Sequence, residues 1–200
     1  MEEIKGQNYI IHTFQSETMN PEFDGVIMVA SLMAVAARTA PKGKGMDSVE
    51  TRIVTGDELM KLSAAMKEAG KALELSFFYR DSNNVAASDA CLLIGARGFE
   101  PVGINCGGCG YSTCTGMTEA FGQTKTGPYR FRGPNCVIKM ADLGIAVGSA
   151  VKTASIHNVD NRVMYTAGIA GLSLGWLGDC SVGYGIPLKA SGKNIYFDRS

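Results

Sequence analysis

The sequence predicts a single α+β domain spanning residues 1–200, in which a mixed sheet packs with long apolar helices. Three observations support this fold class. The segments 21–39 and 136–155 are long and apolar, as buried helices are. The run 90–96 is short, continuous and apolar, which is typical of a buried strand. A loop rich in cysteine and glycine is inserted between that strand and the second long helix.

Local signals set the order of the elements. Asn20 followed by Pro21 predicts a helix start, because asparagine caps the first turn and proline fits the first helical position. The segment 55–58 has the pattern of a capping box. In chain order, the predicted elements are a helix over 21–39, a short strand at 53–54, helices ending near 70 and 79, a break at 81–84, a strand over 90–96, helices over 115–121, 136–155 and 161–174, a strand over 180–186 and a strand-like extension over 192–197.

The composition limits the classes of partner. The chain has 19 basic and 19 acidic side chains, and this balance argues against binding of nucleic acid through its phosphates. No apolar run is long enough to span a bilayer, and the polar start Met1–Lys5 lacks the apolar core of a signal peptide. A cytoplasmic location is therefore expected, where thiols stay reduced and can bind metal.

Three of the six cysteines lie within the segment 106–114. Cys106 and Cys109 are separated by two residues, and Cys109 and Cys114 by four, so their sulfurs can converge on one metal centre. The intervening glycines permit positive φ and leave backbone N–H groups free to face sulfur, which stabilises negative charge. The spacing therefore predicts a metal site.

A cluster of this kind needs a fourth thiolate. Cys136 is the best candidate, because the preceding Gly-Pro predicts a turn just before a long apolar segment. Cys91 and Cys180 are poorer candidates, since both lie in short apolar runs typical of strands. The predicted metal-binding segment therefore spans 105–136.

Besides an iron–sulfur cluster, the cysteines could form a disulfide framework or a structural zinc site. A disulfide framework is typical of short secreted chains, and nothing in this sequence indicates secretion. A structural zinc site would use four thiolates without redox chemistry, but zinc ribbons usually carry two C-x2-C pairs and this segment carries one. The residues indicate a metal site and leave both iron–sulfur and zinc open.

The spacing C-x2-C-x4-C with a distant further cysteine resembles the four-iron cluster segment of two known families. These are the corrinoid iron–sulfur proteins and the ferredoxin-like subunit of Rnf-type electron-transport complexes. The shared core is Cys-Gly-Gly-Cys-Gly-Tyr-x-x-Cys over 106–114, followed by a helix. The resemblance implies a [4Fe-4S] cluster bound by Cys106, Cys109, Cys114 and a later cysteine, for which Cys136 is the candidate.

A basic segment follows the first long helix. Arg38, Lys42 and Lys44 can hold the phosphate of a nucleotide or flavin through charge-assisted hydrogen bonds. The alternative is a solvated loop that complements the helix C-terminus. The sequence has neither a P-loop nor a G-x-G-x-x-G fingerprint after a strand, so Rossmann-type NAD binding has no support.

Three segments together resemble one family over nearly the whole chain. They are 37–42, with the sequence Ala-Arg-Thr-Ala-Pro-Lys, then 133–162, which begins Gly-Pro-Asn-Cys, and 185–199, which ends Asn-Ile-Tyr-Phe-Asp-Arg. The family is that of the uncharacterised "ferredoxin domain-containing" proteins of anaerobic prokaryotes. It has no established activity, so the resemblance implies the cluster and little more.

The sequence is also similar to the nitroreductase fold. In that fold, an arginine-bearing helix end early in the chain and a late Gly-Lys or Arg segment hold the phosphate of FMN across a dimer. The resemblance implies phosphate contacts from Arg38, Lys42 and Lys193. The usual Arg-x-Ser-x-Arg start is absent here, and the cysteine segment has no counterpart in such enzymes. The apolar helices and the aromatic C-terminal segment lead us to expect a homodimer.

Three functions are compatible with these observations. The leading hypothesis is a cytoplasmic [4Fe-4S] protein that transfers electrons between a donor and an acceptor that the sequence does not identify. The second is an enzyme, a flavin oxidoreductase of nitroreductase-like fold that uses the cluster as a relay to FMN. The third is an interaction protein whose metal is structural zinc.

Overall fold

The computed structural model describes residues 20–197. In this range the strands form one sheet with the order β1-β2-β4-β3. The strands are β1 Val49–Thr55, β2 Ala90–Ala96, β3 Asp160–Asn161 and β4 Val182–Lys189. Residues 1–5, on which the expectation about a signal peptide rests, and residues 198–199 of the family resemblance lie outside the described residues.

The helices lie between and before these strands. They are α1 Pro21–Thr39, α2 Asp57–Leu73, α3 Phe77–Ala86, α4 Cys114–Gln123, α5 Val137–Ile156 and α6 Tyr165–Ser173, with a short 3-10 turn at Gly43–Gly45. None of the helices described here combines the length and apolar character needed to cross a bilayer.

Every neighbouring pair of strands in the sheet is antiparallel. The expectation of a mixed sheet is therefore wrong for the described part of the chain. The connection between β1 and β2 explains part of this difference, because it contains two packed helices, α2 and α3. A helical pair returns the chain to the end of the sheet where β1 finished, whereas a single crossover helix would make the next strand parallel.

Strand β2 has the bounds that the sequence predicts, and it contributes to the core on both faces of the sheet. Leu92 and Ile94 pack in one apolar cluster with residues of α1 and α5. Cys91 and Leu93 pack in a second cluster with residues of α2, α3 and α6. Burial on both faces explains why this strand is continuously apolar rather than alternating.

Helix α1 has its predicted bounds but not its predicted burial. The side-chain oxygen of Asn20 accepts a hydrogen bond from the N–H of Phe23 at 3.1 Å, as an N-cap does. Met33 is fully buried, but Met28 and Val35 are 66% and 58% exposed. The expectation of a helix buried on all sides is therefore wrong for one copy of the chain, which leaves an apolar face of α1 uncovered.

The predicted break at 81–84 is also wrong, because those residues lie inside α3. Asp81 is buried there, and its Oδ2 accepts a hydrogen bond from the hydroxyl of Thr166 at 2.9 Å. The start of α2 differs as well, since Gly56 occupies the N-cap position without a side-chain hydrogen bond. The other carboxylate oxygen of Asp81 accepts from the adjacent Arg80 at 2.8 Å, so a local and a distant partner together satisfy a polar residue that the local sequence associates with a turn.

Helix α6 lies directly on β4. A Cβ atom added at Gly168 would collide with the carbonyl oxygen of Gly183, so only glycine permits this approach. The helix starts later than predicted, because Asp160 and Asn161 pair with the end of β4 instead of beginning a helix.

The C-terminal segment 191–197 contains no strand, although the sequence has strand-like character there. It is tied to the sheet by Tyr196, which is buried and whose hydroxyl lies 2.8 Å from that of Ser88. Arg162 donates a hydrogen bond to the carbonyl oxygen of Tyr196 at 3.0 Å. Burial raises the pKa of the Tyr196 phenol, so the hydroxyl stays neutral in this contact.

Candidate metal centre

The cysteine segment begins as a tight turn between β2 and α4. Gly107 and Gly110 have φ values of 72° and 87°, a region that glycine enters at little cost. The N–H of Gly110 donates a hydrogen bond to the carbonyl oxygen of Gly107 at 2.9 Å, which closes the turn around Cys109. The predicted positive φ is therefore confirmed at Gly107 and Gly110, but the N–H of Gly110 is bonded to a carbonyl oxygen and is not free to face sulfur.

The third cysteine, Cys114, is held by the side chain of Asn105, which no sequence motif marks. The N–H of Cys114 donates to Oδ1 of Asn105 at 2.8 Å, and the N–H of Asn105 donates to the sulfur of Cys114 at 3.4 Å. Cys114 is the first residue of α4, and Thr113 caps that helix by accepting from the N–H of Gly116. The only sequence signal for Asn105 is its position beside the first cysteine of a metal motif.

Cys136 occupies the N-cap position of α5, at the turn that the sequence predicts. Its N–H donates a hydrogen bond to the carbonyl oxygen of Gly98 at 2.8 Å. The side chain is buried in a small apolar cluster with Val102 and Met117, and Cys109 packs against the same cluster. The fold therefore brings Cys109 and Cys136 to one place although they are far apart in sequence.

The first turn of the segment also lies against α5. A Cβ atom added at Gly108 would lie 2.6 Å from Cγ1 of Val137 and 3.7 Å from the sulfur of Cys106. Glycine at this position thus allows close contact with the first residue of the helix.

All four predicted ligands are free thiols, with Cys106 exposed, Cys109 and Cys114 half-buried, and Cys136 buried. As the side chains are placed, no three His, Cys, Asp or Glu residues in the range 20–197 lie close enough together to hold a metal ion. The donor set itself fits an iron–sulfur cluster or zinc, because both take four thiolates. The choice of these four residues as ligands stays a prediction.

The two remaining cysteines lie in the core. Burial raises the pKa of the Cys91 thiol to about 12, and burial together with the charge of Glu50 raises that of Cys180 to about 12. Neither belongs to the small cluster around Cys136.

Arg38 and Lys42 lie together at the end of α1, in contacts within the chain. One Arg38 nitrogen donates to Oδ2 of Asp47 at 2.7 Å and to the carbonyl oxygen of Val49 at 2.6 Å. The Lys42 ammonium donates to the carbonyl oxygens of Arg38 at 2.5 Å and Ala40 at 2.8 Å. Partial burial tends to raise the pKa of Asp47, but the hydrogen bonds from Arg38 and from the N–H of Val49, together with the charges of Arg38 and Lys42, lower that pKa overall. These contacts stabilise the helix end, and a phosphate role for the two cations stays a prediction.

Lys193 lies elsewhere, on the exposed part of the C-terminal segment. Asn194 in that segment donates to Oδ1 of Asp160 in β3 at 2.8 Å. Strands β1 and β3 are at opposite edges of the sheet, and Arg38 contacts the start of β1. Within one chain, Lys193 is therefore not brought together with Arg38, and a phosphate site that uses both would require a second copy.

Helix α5 also carries a buried ion pair, outside the residues predicted to bind metal or phosphate. The Lys139 ammonium donates to the carbonyl oxygen of Met46 and lies 3.7 Å from Oδ2 of Asp142. The other carboxylate oxygen accepts from the N–H of Gly43 at 2.9 Å. This pair holds the loop after α1 against the helix that begins at Cys136. Two opposite charges three residues apart in an apolar helix are the signal that could have identified it.

Comparison with known sequences gives two related findings. A family described as "uncharacterized protein containing a ferredoxin domain" matches residues 132–199. An uncharacterized protein of Archaeoglobus fulgidus is 45% identical over 177 residues, which cover 88% of this chain and 93% of that protein.

Solved structures with the same fold include flavin-binding proteins. A nitroreductase with bound FMN from Desulfitobacterium hafniense matches with a TM-score of 0.54 and 14% identity, over 83% of this chain and 78% of that chain. Nitroreductase A from Vibrio parahaemolyticus matches with a TM-score of 0.51 and 13% identity over 84% of this chain, which spans 59% of the length of that protein. The predicted α+β, nitroreductase-like fold is therefore confirmed.

Proposed function

Because the chain belongs to the family of uncharacterized proteins that contain a ferredoxin domain, we propose that it binds a [4Fe-4S] cluster and transfers electrons. The ligands in this proposal are Cys106, Cys109, Cys114 and Cys136. The observation that carries it is the packing of Cys109 and Cys136 against one small apolar cluster, despite their separation in sequence.

Two helix N-termini favour negative charge at these thiols. Cys114 is the first residue of α4 and Cys136 is the N-cap of α5. The unpaired N–H groups and the dipole at a helix N-terminus stabilise an anion by about 0.3–1 kcal/mol each. Iron binds the thiolate rather than the thiol, so this electrostatic contribution supports ligation.

Hydrogen bonds to sulfur tune the reduction potential of a bound cluster. The N–H of Asn105 already points at the sulfur of Cys114, at 3.4 Å. The Asn105 side chain holds the N–H of Cys114 at the same time, so one residue orients this ligand through two contacts. A cluster bound here supplies a one-electron carrier, and these residues hold and tune it.

The exposure of the segment suits exchange of electrons with a separate protein or small molecule. Cys106 is exposed, and the neighbouring Ile104 is 50% exposed. Cluster binding requires the thiols to turn toward one another from their present positions. A Cβ atom at Gly107 or Gly110 would meet nothing within 4 Å, so the backbone has free space for this adjustment.

The deciding experiment is analysis of metal, acid-labile sulfide and visible absorbance on protein purified without oxygen. About four iron and four sulfide per chain, with a broad absorbance that dithionite bleaches, are the expected result. One zinc per chain without colour would instead identify the structural zinc site and exclude electron transfer. Cys109→Ser should lose most of the iron, with Cys180→Ser as the matched control. Equal iron and sulfide in wild type and Cys109→Ser would reject the ligand assignment.

A second candidate is a flavin oxidoreductase in which the cluster relays electrons to FMN. The shared fold with an FMN-bound nitroreductase favours it. Protein of this kind would be purified with releasable FMN or would bind added FMN, and Lys193→Ala would weaken that binding. Absence of flavin together with no binding of added FMN, measured by fluorescence quenching, would reject the candidate and leave the first proposal unaffected.

A further inference from the structure

A groove of about 800 Å³ lies between α2, the end of α6 and the loop that joins α4 to α5. None of the four proposed cluster ligands lines it. Its volume is within the range of about 300–1,000 Å³ that is typical of small-molecule sites. The groove is therefore large enough for a ligand with one or two rings.

Apolar side chains form opposite walls of this groove. Ala64 and Ala65 line it from α2, while Ile169 and Leu172 line it from α6. The small alanine side chains leave the space between the helices open. Such walls favour an apolar, flat body, because burying it removes apolar surface from water.

Two cations face the same groove. Lys61 lines it from α2 and Arg130 from the loop. Within residues 20–197 neither side chain makes a hydrogen bond or ion pair, whereas the side chains of Arg38, Arg52 and Arg97 each lie beside a carboxylate. Lys61 and Arg130 thus remain available to an anion from outside the chain.

An acidic residue limits where that anion can bind. Glu68 also lines the groove, two helical turns beyond Lys61, which is about 10 Å along the axis of α2. A second negative group at that end of the ligand would be repelled. The charge pattern therefore favours a single anionic group, near Lys61.

We propose that this groove binds an organic monoanion with an apolar, ring-sized body. The acidic group lies between Lys61 and Arg130, and the body lies between the alanines of α2 and the aliphatic residues of α6. This site is separate from the proposed cluster, so the two proposals succeed or fail independently.

The test is calorimetric titration of the intact protein with the aromatic sulfonate 1-anilinonaphthalene-8-sulfonate. Calorimetry measures heat, so the absorbance of a bound cluster does not interfere with it. Lys61→Glu should weaken the affinity about tenfold, because it replaces attraction with repulsion. Lys67→Glu is the matched control, since it makes the same charge change on α2 at an exposed position outside the groove. Equal weakening in both variants would show that net charge alone controls binding and would overturn the proposal.

A second pair of variants tests the apolar part. Ala64→Trp should fill the groove and abolish saturable binding, whereas Ala72→Trp, at an exposed position of the same helix outside the groove, should leave it unchanged. Thermal melting establishes that both variants fold. Wild-type affinity in a folded Ala64→Trp would place the sulfonate elsewhere and overturn the proposal. If Ala64→Trp does not fold, the comparison of Lys61→Glu with Lys67→Glu decides whether the sulfonate binds in this groove.

Discussion

Asn105 and Cys114 are joined by two hydrogen bonds that run in opposite directions. The backbone of each residue donates to the side chain of the other, at 3.4 Å to sulfur and 2.8 Å to the amide oxygen. Asn105 has a φ of 49°, a conformation that asparagine tolerates better than most residues. One polar residue thus orients a candidate ligand and also shapes the turn before it.

We expect Asn105→Gly to make a bound cluster more labile. Glycine keeps the positive φ, so the variant removes the side-chain acceptor without adding backbone strain. Loss of this hydrogen bond should cost about 1 kcal/mol in the loop. The measurement is the rate at which an iron chelator bleaches the cluster, and it should increase several-fold. A rate equal to that of wild type would show that the Asn105 side chain does not hold Cys114 in the loaded protein.

Lys139→Met should destabilise the protein strongly. The change leaves the buried Asp142 carboxylate without its counter-charge, which typically costs about 3–5 kcal/mol. Adding Asp142→Asn should restore part of the loss, because an amide oxygen still accepts from Gly43 and no charge remains. Urea unfolding of the two variants gives the comparison. A double variant less stable than Lys139→Met would contradict this account of the pair.

The cysteines should differ in their reactivity once a cluster has been removed. At about pH 8, Cys91 is almost entirely a thiol, because burial raises its pKa to about 12. Iodoacetamide should therefore modify the exposed Cys106 within minutes and leave Cys91 unmodified in the folded protein. Mass spectrometry of the peptides identifies the sites. Modification of both residues at the same rate would mean that the core opens readily.

The uncovered apolar face of α1 and α5 leads us to expect a homodimer. Val35 is 58% exposed on α1, and Ile145 is 44% exposed on α5. Gly144 and Gly148 on α5 have open space around them, which permits close approach of a second helix. Ile145→Glu should convert the dimer to a monomer in sedimentation velocity. Met60→Glu is the control, since Met60 is equally apolar and 55% exposed on α2. A monomeric wild type, or an Ile145→Glu variant that remains dimeric, would contradict this prediction.

The sequence predicts well those elements whose cause is local. Asn20 with Pro21 starts α1, and the apolar run of β2 has its predicted ends because both of its faces are buried. The turn before Cys136 also follows from adjacent residues. In contrast, the buried Asp81 inside α3 is satisfied partly by the neighbouring Arg80 and partly by Thr166, which is far away in sequence.

The same distinction applies to the candidate sites. The cysteine spacing is a local pattern, so the sequence alone identifies the segment. The groove that includes Lys61 depends on helices that meet only in the folded chain. The pair of Lys139 and Asp142 is adjacent on one helix, but its burial and its contacts with Gly43 and Met46 depend on the loop after α1. The contact of Arg38 with Asp47 is likewise not evident from the local pattern, and the assignment of Arg38 to a phosphate stays a prediction.

The contact of Gly168 with the backbone of β4 has a consequence for the groove. Ile169 and Leu172 of α6 form one apolar wall of the groove. Because Gly168 has no side chain, α6 lies directly on the backbone of the sheet. The wall cannot slide or roll without losing this backbone contact. A ligand in the groove would therefore bind a preorganised surface, and no part of the binding free energy would be lost in ordering that surface.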